Sequence, residues 1–168
     1  AYGVGHAELF AEAEAEALHR SLDEVPLFDP DDDAFLLPGD MPARIVAACA
    51  ASGQLRRGER TMSRGEVVRS ILVSLACKYR YVLERLEAVS GRDVRRIHVI
   101  GGGVQVTPLC RLTADVTGRE VLAGPVEATA LGNVLVQALA AGELGSLAEV
   151  RAVAAASADC VTYTPSGG

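Results

Sequence analysis

The chain has 168 residues, 16 Lys and Arg against 22 Asp and Glu, a formal net charge of −6, and a 49% hydrophobic composition with no Trp. Its length fits one compact domain of roughly 100–200 residues, able to bury about 70% of its unfolded surface, and leaves open whether the chain is a whole protein or a piece of one. The acidic balance argues against a general nucleic-acid binder, the apolar content argues against disorder, and no apolar run reaches the roughly 20 residues that cross a bilayer.

In chain order, residues 7–20 read as a helix of strong helix formers, Ala, Glu and Leu. Its acidic residues Glu8, Glu12, Glu14 and Glu16 do not fit a signal peptide. The stretch VPLFDPDDDAFLLPGDMP follows, with four prolines and five aspartates. Prolines break helix turns and strand ladders alike, so this segment is expected to be irregular and pinned by Phe28, Phe35, Leu36 and Leu37. A short helix is predicted over 43–51, then a polar connection over 53–62. Ser63 and Glu66 stand at capping-box spacing. Behind them Val68, Ile71, Leu72, Leu75, Tyr79, Val82, Leu83 and Leu86 form the apolar face of a long helix that Gly91 closes. A basic turn, Arg92 to Arg96, leads into the β-branched strand Ile97–Ile100 and three glycines. Thr107 and Pro108 suit the N-cap and first position of the next helix, and Gly118 its end. Glu120–Ala123 reads as a second strand ending at Gly124-Pro125. A helix over 126–141 should point Leu131, Val134, Leu135, Ala138 and Leu139 inward. Ser146 and Glu149 form another capping box, opening a helix to about Ser157, and the tail from Tyr163 to Gly168 is expected to fray.

Residues 1–62 thus read as a helical and irregular, acidic and Pro-rich segment, and residues 63–168 as an α-β-α-β-α-α core. The fold class is α/β, with helices on a short parallel sheet. Two strands fall short of the usual sheet of about five, a first hint that part of the sheet is missing.

Gly101-Gly102-Gly103 is the most informative local signal. A strand running into bare backbone before a helix can bring main-chain amides to a phosphate, and ligands favour the carboxyl ends of strands in open α/β sheets. A tight structural turn explains it equally well. It is not a P-loop, since no Gly-Lys-Ser/Thr follows, and not G-x-G-x-x-G, since Val106 takes the third glycine's place. At the second strand-to-helix turn, Glu127 is expected in the first helical turn, where the helix dipole favours a carboxylate. Gly132 within that helix implies close packing of another backbone.

Other clusters offer less. Asp29, Asp31, Asp33 and Asp40 mimic calcium-loop spacing, yet Ala34 replaces the required glycine, prolines intrude and the last position is not Glu, so a solvated acidic loop is expected and no metal ligand is assigned. Cys49, Cys77, Cys110 and Cys160 match no zinc spacing. They read as mostly small buried thiols in a reducing cytoplasm. His6, His19 and His98 are scattered, with His98 expected on a sheet face. No Ser-His-Asp, Cys-His or paired-carboxylate arrangement is present to assign as catalytic.

From about residue 25 to 165 the chain resembles the C-terminal region of rhamnulokinases, within the FGGY carbohydrate kinases. The resemblance is carried by Gly101-Gly102-Gly103, Leu112-Thr113-Ala114-Asp115, Gly118-Arg119 and the block from Ala123 to Asn133. Asp29-Pro30-Asp31-Asp32, Asp40-Met41-Pro42, Arg69-Ser70-Ile71-Leu72 and Leu75-Ala76-Cys77-Lys78-Tyr79-Arg80 extend it upstream. It implies a partial ribonuclease-H/actin-like ATPase lobe with the first strands of the lobe missing, and ATP- and Mg-dependent phosphorylation of L-rhamnulose at its 1-hydroxyl. It places the adenine and α-phosphate of ATP against Gly102 and Gly103, with Gly101 completing the turn. Two positions depart from the family pattern: its usual Asn is Val106, and its usual Gln is Arg111. The general base and the sugar-reading residues of such kinases lie on an N-terminal lobe outside these residues. The chain alone is therefore expected to bind nucleotide but be inactive, and to engage sugar only with that lobe. The alternative is a non-catalytic module for oligomerisation or partner binding, self-associating through an exposed sheet edge. Neither nucleic acid nor membrane is expected as a partner.

Overall fold

The Ala- and Glu-rich start folds as α1, His6–Glu16. The computed structural model describes residues 4–55, 61–157 and 159–166. They fall into two compact units, Ala1–Gly91 and Arg92–Gly168. The change of sequence character at 62/63 lies inside the first unit, because the long helix that follows it packs against α1. α1 stops short of the predicted residue 20: the amides of Ala17, Leu18 and His19 turn back to carbonyls three residues earlier, and Arg20 pairs with Glu66 at 2.7 Å.

The Pro- and Asp-rich segment is irregular, as expected, but its pins differ. Phe28 and Phe35 meet with their ring centroids 5.0 Å apart and their planes tilted by 58°, and pack on the core of Ile45, Cys49 and Val67, whereas Leu36 and Leu37 are 74% and 71% exposed. Polar clips do the remaining work. The Ser70 hydroxyl donates to the Pro26 carbonyl at 2.5 Å, the Phe28 amide donates to the Ser74 hydroxyl at 3.2 Å, and Lys78 bridges Asp29 and Asp31 at 2.7 and 2.9 Å. Ser70, Ser74 and Lys78 recur every four residues, so one helix face holds the first part of the segment, from Pro26 to Asp31. Asp40 caps α2, Met41–Ala51, by accepting from the Ala43 amide at 3.2 Å. Of the calcium-like spacing, Asp29 and Asp31 thus pair with Lys78, and Asp40 caps a helix. Of the polar connection, residues 56–60 lie outside the described residues.

α3 runs Arg64–Ser90. The Ser63 hydroxyl accepts from the Glu66 amide at 3.0 Å and the Glu66 carboxylate from the Ser63 amide at 2.7 Å, satisfying two amides that a helix start leaves open. Gly91 closes the helix in the left-handed region. The expected apolar face is covered mainly along its first half: Val68 and Leu72 are buried and Ile71 and Leu75 half-buried, whereas in the second half Leu83 is buried but Tyr79, Val82 and Leu86 are exposed. At about 1.5 Å per residue, the 27 residues of α3 span about 40 Å and the 11 of α1 about 16 Å, so α1 cannot shield the far half. Arg69 is buried with its Nε unpartnered among the described residues.

In the second unit β1, Arg96–Val99, pairs in parallel with β2, Glu120–Ala123, through α4, Thr107–Thr117. The basic turn before β1 is tied down by acids: Asp93 pairs with Arg95 and Arg119, and Arg96 with Glu120. α5, Ala128–Ala140, and α6, Leu147–Ala156, follow and pack on each other. At α6 the Ser146 hydroxyl accepts from the Glu149 amide, but the Glu149 carboxylate reaches the Gly145 amide, one residue short of a capping box. β3, Val161–Tyr163, lies antiparallel to β2, giving the order β1-β2-β3. Part of the tail expected to fray is therefore a strand: Tyr163 packs on the core of Cys110, Ala114, Val121 and Ala123, and the Ser166 amide donates to Asp115 at 2.7 Å. Residues 167–168 lie outside the described residues.

α5 departs from its predicted facing. Leu135 is buried but Val134 is 63% exposed, and among the described residues no other element comes within 4 Å of a Cβ built on Gly132, so the expected close packing of another backbone is not found there. Among the described residues, no helix is long and apolar enough to cross a membrane.

Candidate functional site: a glycine turn at the strand ends

β1 and β2 end side by side, and two backbone hydrogen bonds tie the turns that leave them. The Gly124 amide donates to the Val99 carbonyl at 2.9 Å, and the Gly101 amide to the Pro125 carbonyl at 3.2 Å. Both predicted turns are thereby brought together at the carboxyl ends of the parallel strands. Gly101 enters its turn at φ +71°, a conformation a side chain disfavours. From there Gly101–Gln105 form a 3-10 turn, whose i→i+3 bonding leaves the amide of the second residue, Gly102, without an internal acceptor.

Gly102 is exposed, with no protein atom within 4 Å of a Cβ built on it. Its φ is not in the left-handed region and no neighbour crowds it, so neither conformation nor packing requires glycine there. What remains is an exposed stretch of bare backbone whose amide has no acceptor among the described residues. Gly103 differs, since its Cβ would meet Val99 at 3.4 Å. Its carbonyl accepts from the Val106 amide at 3.1 Å and from the Cys110 thiol at 3.7 Å. Burial pushes the Cys110 thiol up, keeping it protonated and a donor.

The helix cap differs from expectation by one residue. Val106, not Thr107, is the N-cap of α4, and it offers no side-chain acceptor. Thr107 becomes the first helical residue and its amide has no partner among the described residues. Arg111 lies exposed one turn further along. Glu127 sits at the N-cap of α5 rather than within its first turn and caps no amide with its side chain. His98 is exposed on β1, paired in register with Leu122.

All four cysteines are free: Cys49 and Cys110 are buried, Cys77 is half-buried and Cys160 is exposed. Two clefts, of about 680 and 350 Å³, lie in the first unit beside α2 and α3, and neither is lined by the glycine turn. No group of three His, Cys, Asp or Glu able to hold a metal occurs among the described residues. The residues that sequence patterning missed are Pro125, through its carbonyl, and Cys110, through its thiol; neither function has a local sequence signature.

The glycine turn, the parallel strand pair and the crossover helix accord with what comparison finds. Residues 4–141 match the C-terminal domain of the FGGY family of carbohydrate kinases, and the chain belongs to that family. More particularly, it is similar to a rhamnulokinase of Bacteroides thetaiotaomicron, 42% identical over 162 residues, which cover 96% of this chain and 32% of that protein. The chain thus spans about a third of the length of this curated relative.

Proposed function

We propose that this chain is the ATP-binding C-terminal lobe portion of a carbohydrate kinase that phosphorylates L-rhamnulose to rhamnulose 1-phosphate. The lobe is a partial ribonuclease-H/actin-like one, in a cytoplasmic protein. The observation that carries the nucleotide reading is Gly102: a bare, exposed amide on a turn fixed from both sides. A helix start beyond it supplies partial positive charge and the free Thr107 amide. Gly102 and Gly103 would lie against the nucleotide, Gly101 would set the turn, and Val106 would border it with an apolar contact. The rhamnulose assignment rests on the likeness to the Bacteroides protein.

Mg²⁺ would accompany the nucleotide's phosphates; no side chain of this chain is assigned to hold it. No catalytic residue is assigned either. In-line phosphoryl transfer needs both substrates and a base held together, so residues 1–168 alone should bind nucleotide weakly and turn over no sugar.

Calorimetric titration of the chain with ATP and Mg²⁺ tests the binding, with Gly102→Ala as the discriminating variant. Its new methyl meets no protein atom, so melting should be unchanged while nucleotide affinity falls. Unchanged affinity, or no binding by the unaltered chain, would sink the reading. Incubation with L-rhamnulose, ATP and Mg²⁺ tests the rest: clear turnover would contradict the expected inactivity.

A second reading, a non-catalytic association module, is favoured by one observation. β1 has β2 as its only partner in the three-stranded sheet, so its other edge is open among the described residues. Light scattering separates the two readings, since a monomer at all concentrations argues against association through that edge.

A further inference from the structure

We infer that Gly124 is a positioning residue for the glycine turn: lacking a side chain, it lets a distant stretch of backbone close on the second turn and so holds the Pro125 carbonyl where it fixes the Gly101 amide. The inference rests on the reading of Gly102 and Gly103 as nucleotide contacts and adds a residue that would touch no ligand itself.

Three observations meet at Gly124. Its φ of +134° disfavours any side chain. A Cβ placed on it would stand 2.7 Å from the Asp159 carbonyl oxygen and 3.1 Å from the Cys160 Cα, both main-chain atoms that cannot rotate aside. Its own amide donates to Val99, and the next carbonyl accepts from Gly101. Gly124 is therefore clamped between the end of β1 and the lead-in to β3.

The clamp is rigid on its far side. Asp159 and Cys160 run directly into β3, whose Val161 pairs with Ala123 and Tyr163 with Val121. The segment is held again where the Ser166 amide donates to Asp115. A methyl group at position 124 must then displace the Gly124-Pro125 turn or pull β3 from the sheet. Moving the Pro125 carbonyl by an ångström breaks its 3.2 Å bond from Gly101. The amide of Gly102, next in the turn, then loses its fixed direction.

The test compares Gly124→Ala with Val150→Ala, a core truncation on α6 that controls for lost stability. Amide hydrogen exchange is followed by NMR, and ATP affinity by calorimetry in the presence of Mg²⁺. In Gly124→Ala, protection of the Gly101 amide should fall about tenfold or more while amides of the β1–β2 ladder keep theirs, and ATP should bind about tenfold more weakly. Val150→Ala should alter neither selectively. If Gly124→Ala does not fold, Asp115→Ala carries the test: it releases Ser166 without adding bulk and should lower Gly101 protection selectively, by about twofold to threefold. Unchanged Gly101 protection, or losses no larger than in the control, overturns the inference. If the unaltered chain binds no ATP, the nucleotide reading fails, and the exchange measurement alone decides whether Gly124 positions the turn.

Discussion

The thiol of Cys110 donates to the carbonyl oxygen of Gly103 across 3.7 Å, from a side chain 1% exposed. One buried residue thus joins the core of the second unit to the glycine turn. Cys160, by contrast, is exposed. Thiol labelling of the native protein should therefore modify Cys160 first and Cys77 more slowly, with Cys49 and Cys110 reacting only on unfolding. Mass spectrometry of a labelling time course checks the order. Prompt modification of Cys110 would mean that the core beneath the turn opens readily.

Val106 occupies the N-cap of α4 without an acceptor to offer. Val106→Asn should supply one to the open amides and stabilise the second unit by about 1 kcal/mol, the usual worth of a polar N-cap. A urea melt measures the gain. A loss instead would show that Val106 packs more usefully than it caps.

Gly65 permits the closest approach between α1 and α3, since a Cβ there would lie 2.9 Å from the Glu12 carbonyl oxygen. Gly65→Ala gains helix propensity but forces the helices apart, and backbone crowding of this kind costs about 1–3 kcal/mol. The first unit should melt at lower temperature. A rise in melting temperature would mean that α1 slides along α3 at no cost.

α1 buries Ala13 and is tied further by charge. Arg64 binds Glu8 and Glu12, and Glu16 accepts from the Ser63 hydroxyl. The hydrogen bond from Arg64 holds the Glu12 carboxyl below its ordinary value, and that from Lys78 does the same for Asp29. A depressed carboxyl contributes stability above its unfolded pKa and loses it as pH falls through the folded one. Stability of the first unit should therefore decline between about pH 5 and pH 3 and weaken with added salt, because these pairs are solvated. Lys78 is raised by the same pairing, so its share persists until pH climbs past the ordinary lysine range. Melting curves across pH and ionic strength check both limits; flat profiles would show that apolar contacts alone hold α1.

How much of this was legible depends on whether the deciding interactions were local. Ser63, Glu66 and Gly91 act within one helical turn of themselves, and they place the ends of α3 correctly. β3 has three residues, and Val161 to Tyr163 become a strand only by pairing with β2. α5 has no charged residue; its polar face is marked only by Thr129, Asn133 and Gln137, all exposed, and Val134 lies beside Asn133 on that side rather than inward. The glycine turn was visible as a turn, but its tie to Pro125 was not, because it joins two strand ends that are distant in sequence. That same distance hid the reason for Gly124.

The uncharged surface of α5 has a consequence for the protein in solution. The chain carries a net charge of −6, yet none of it resides on this helix, where Val134 and Val136 stand exposed. Long-range repulsion keeps molecules apart at low ionic strength, and salt shortens its reach to about 10 Å at 0.1 M. Once that cushion thins, α5 meets an approaching molecule with exposed valines and the uncharged polar side chains Thr129, Asn133 and Gln137, and with no charge to repel it. Colloidal behaviour will then depend on where uncharged surface lies as well as on net charge, and the protein should be handled dilute and at low salt.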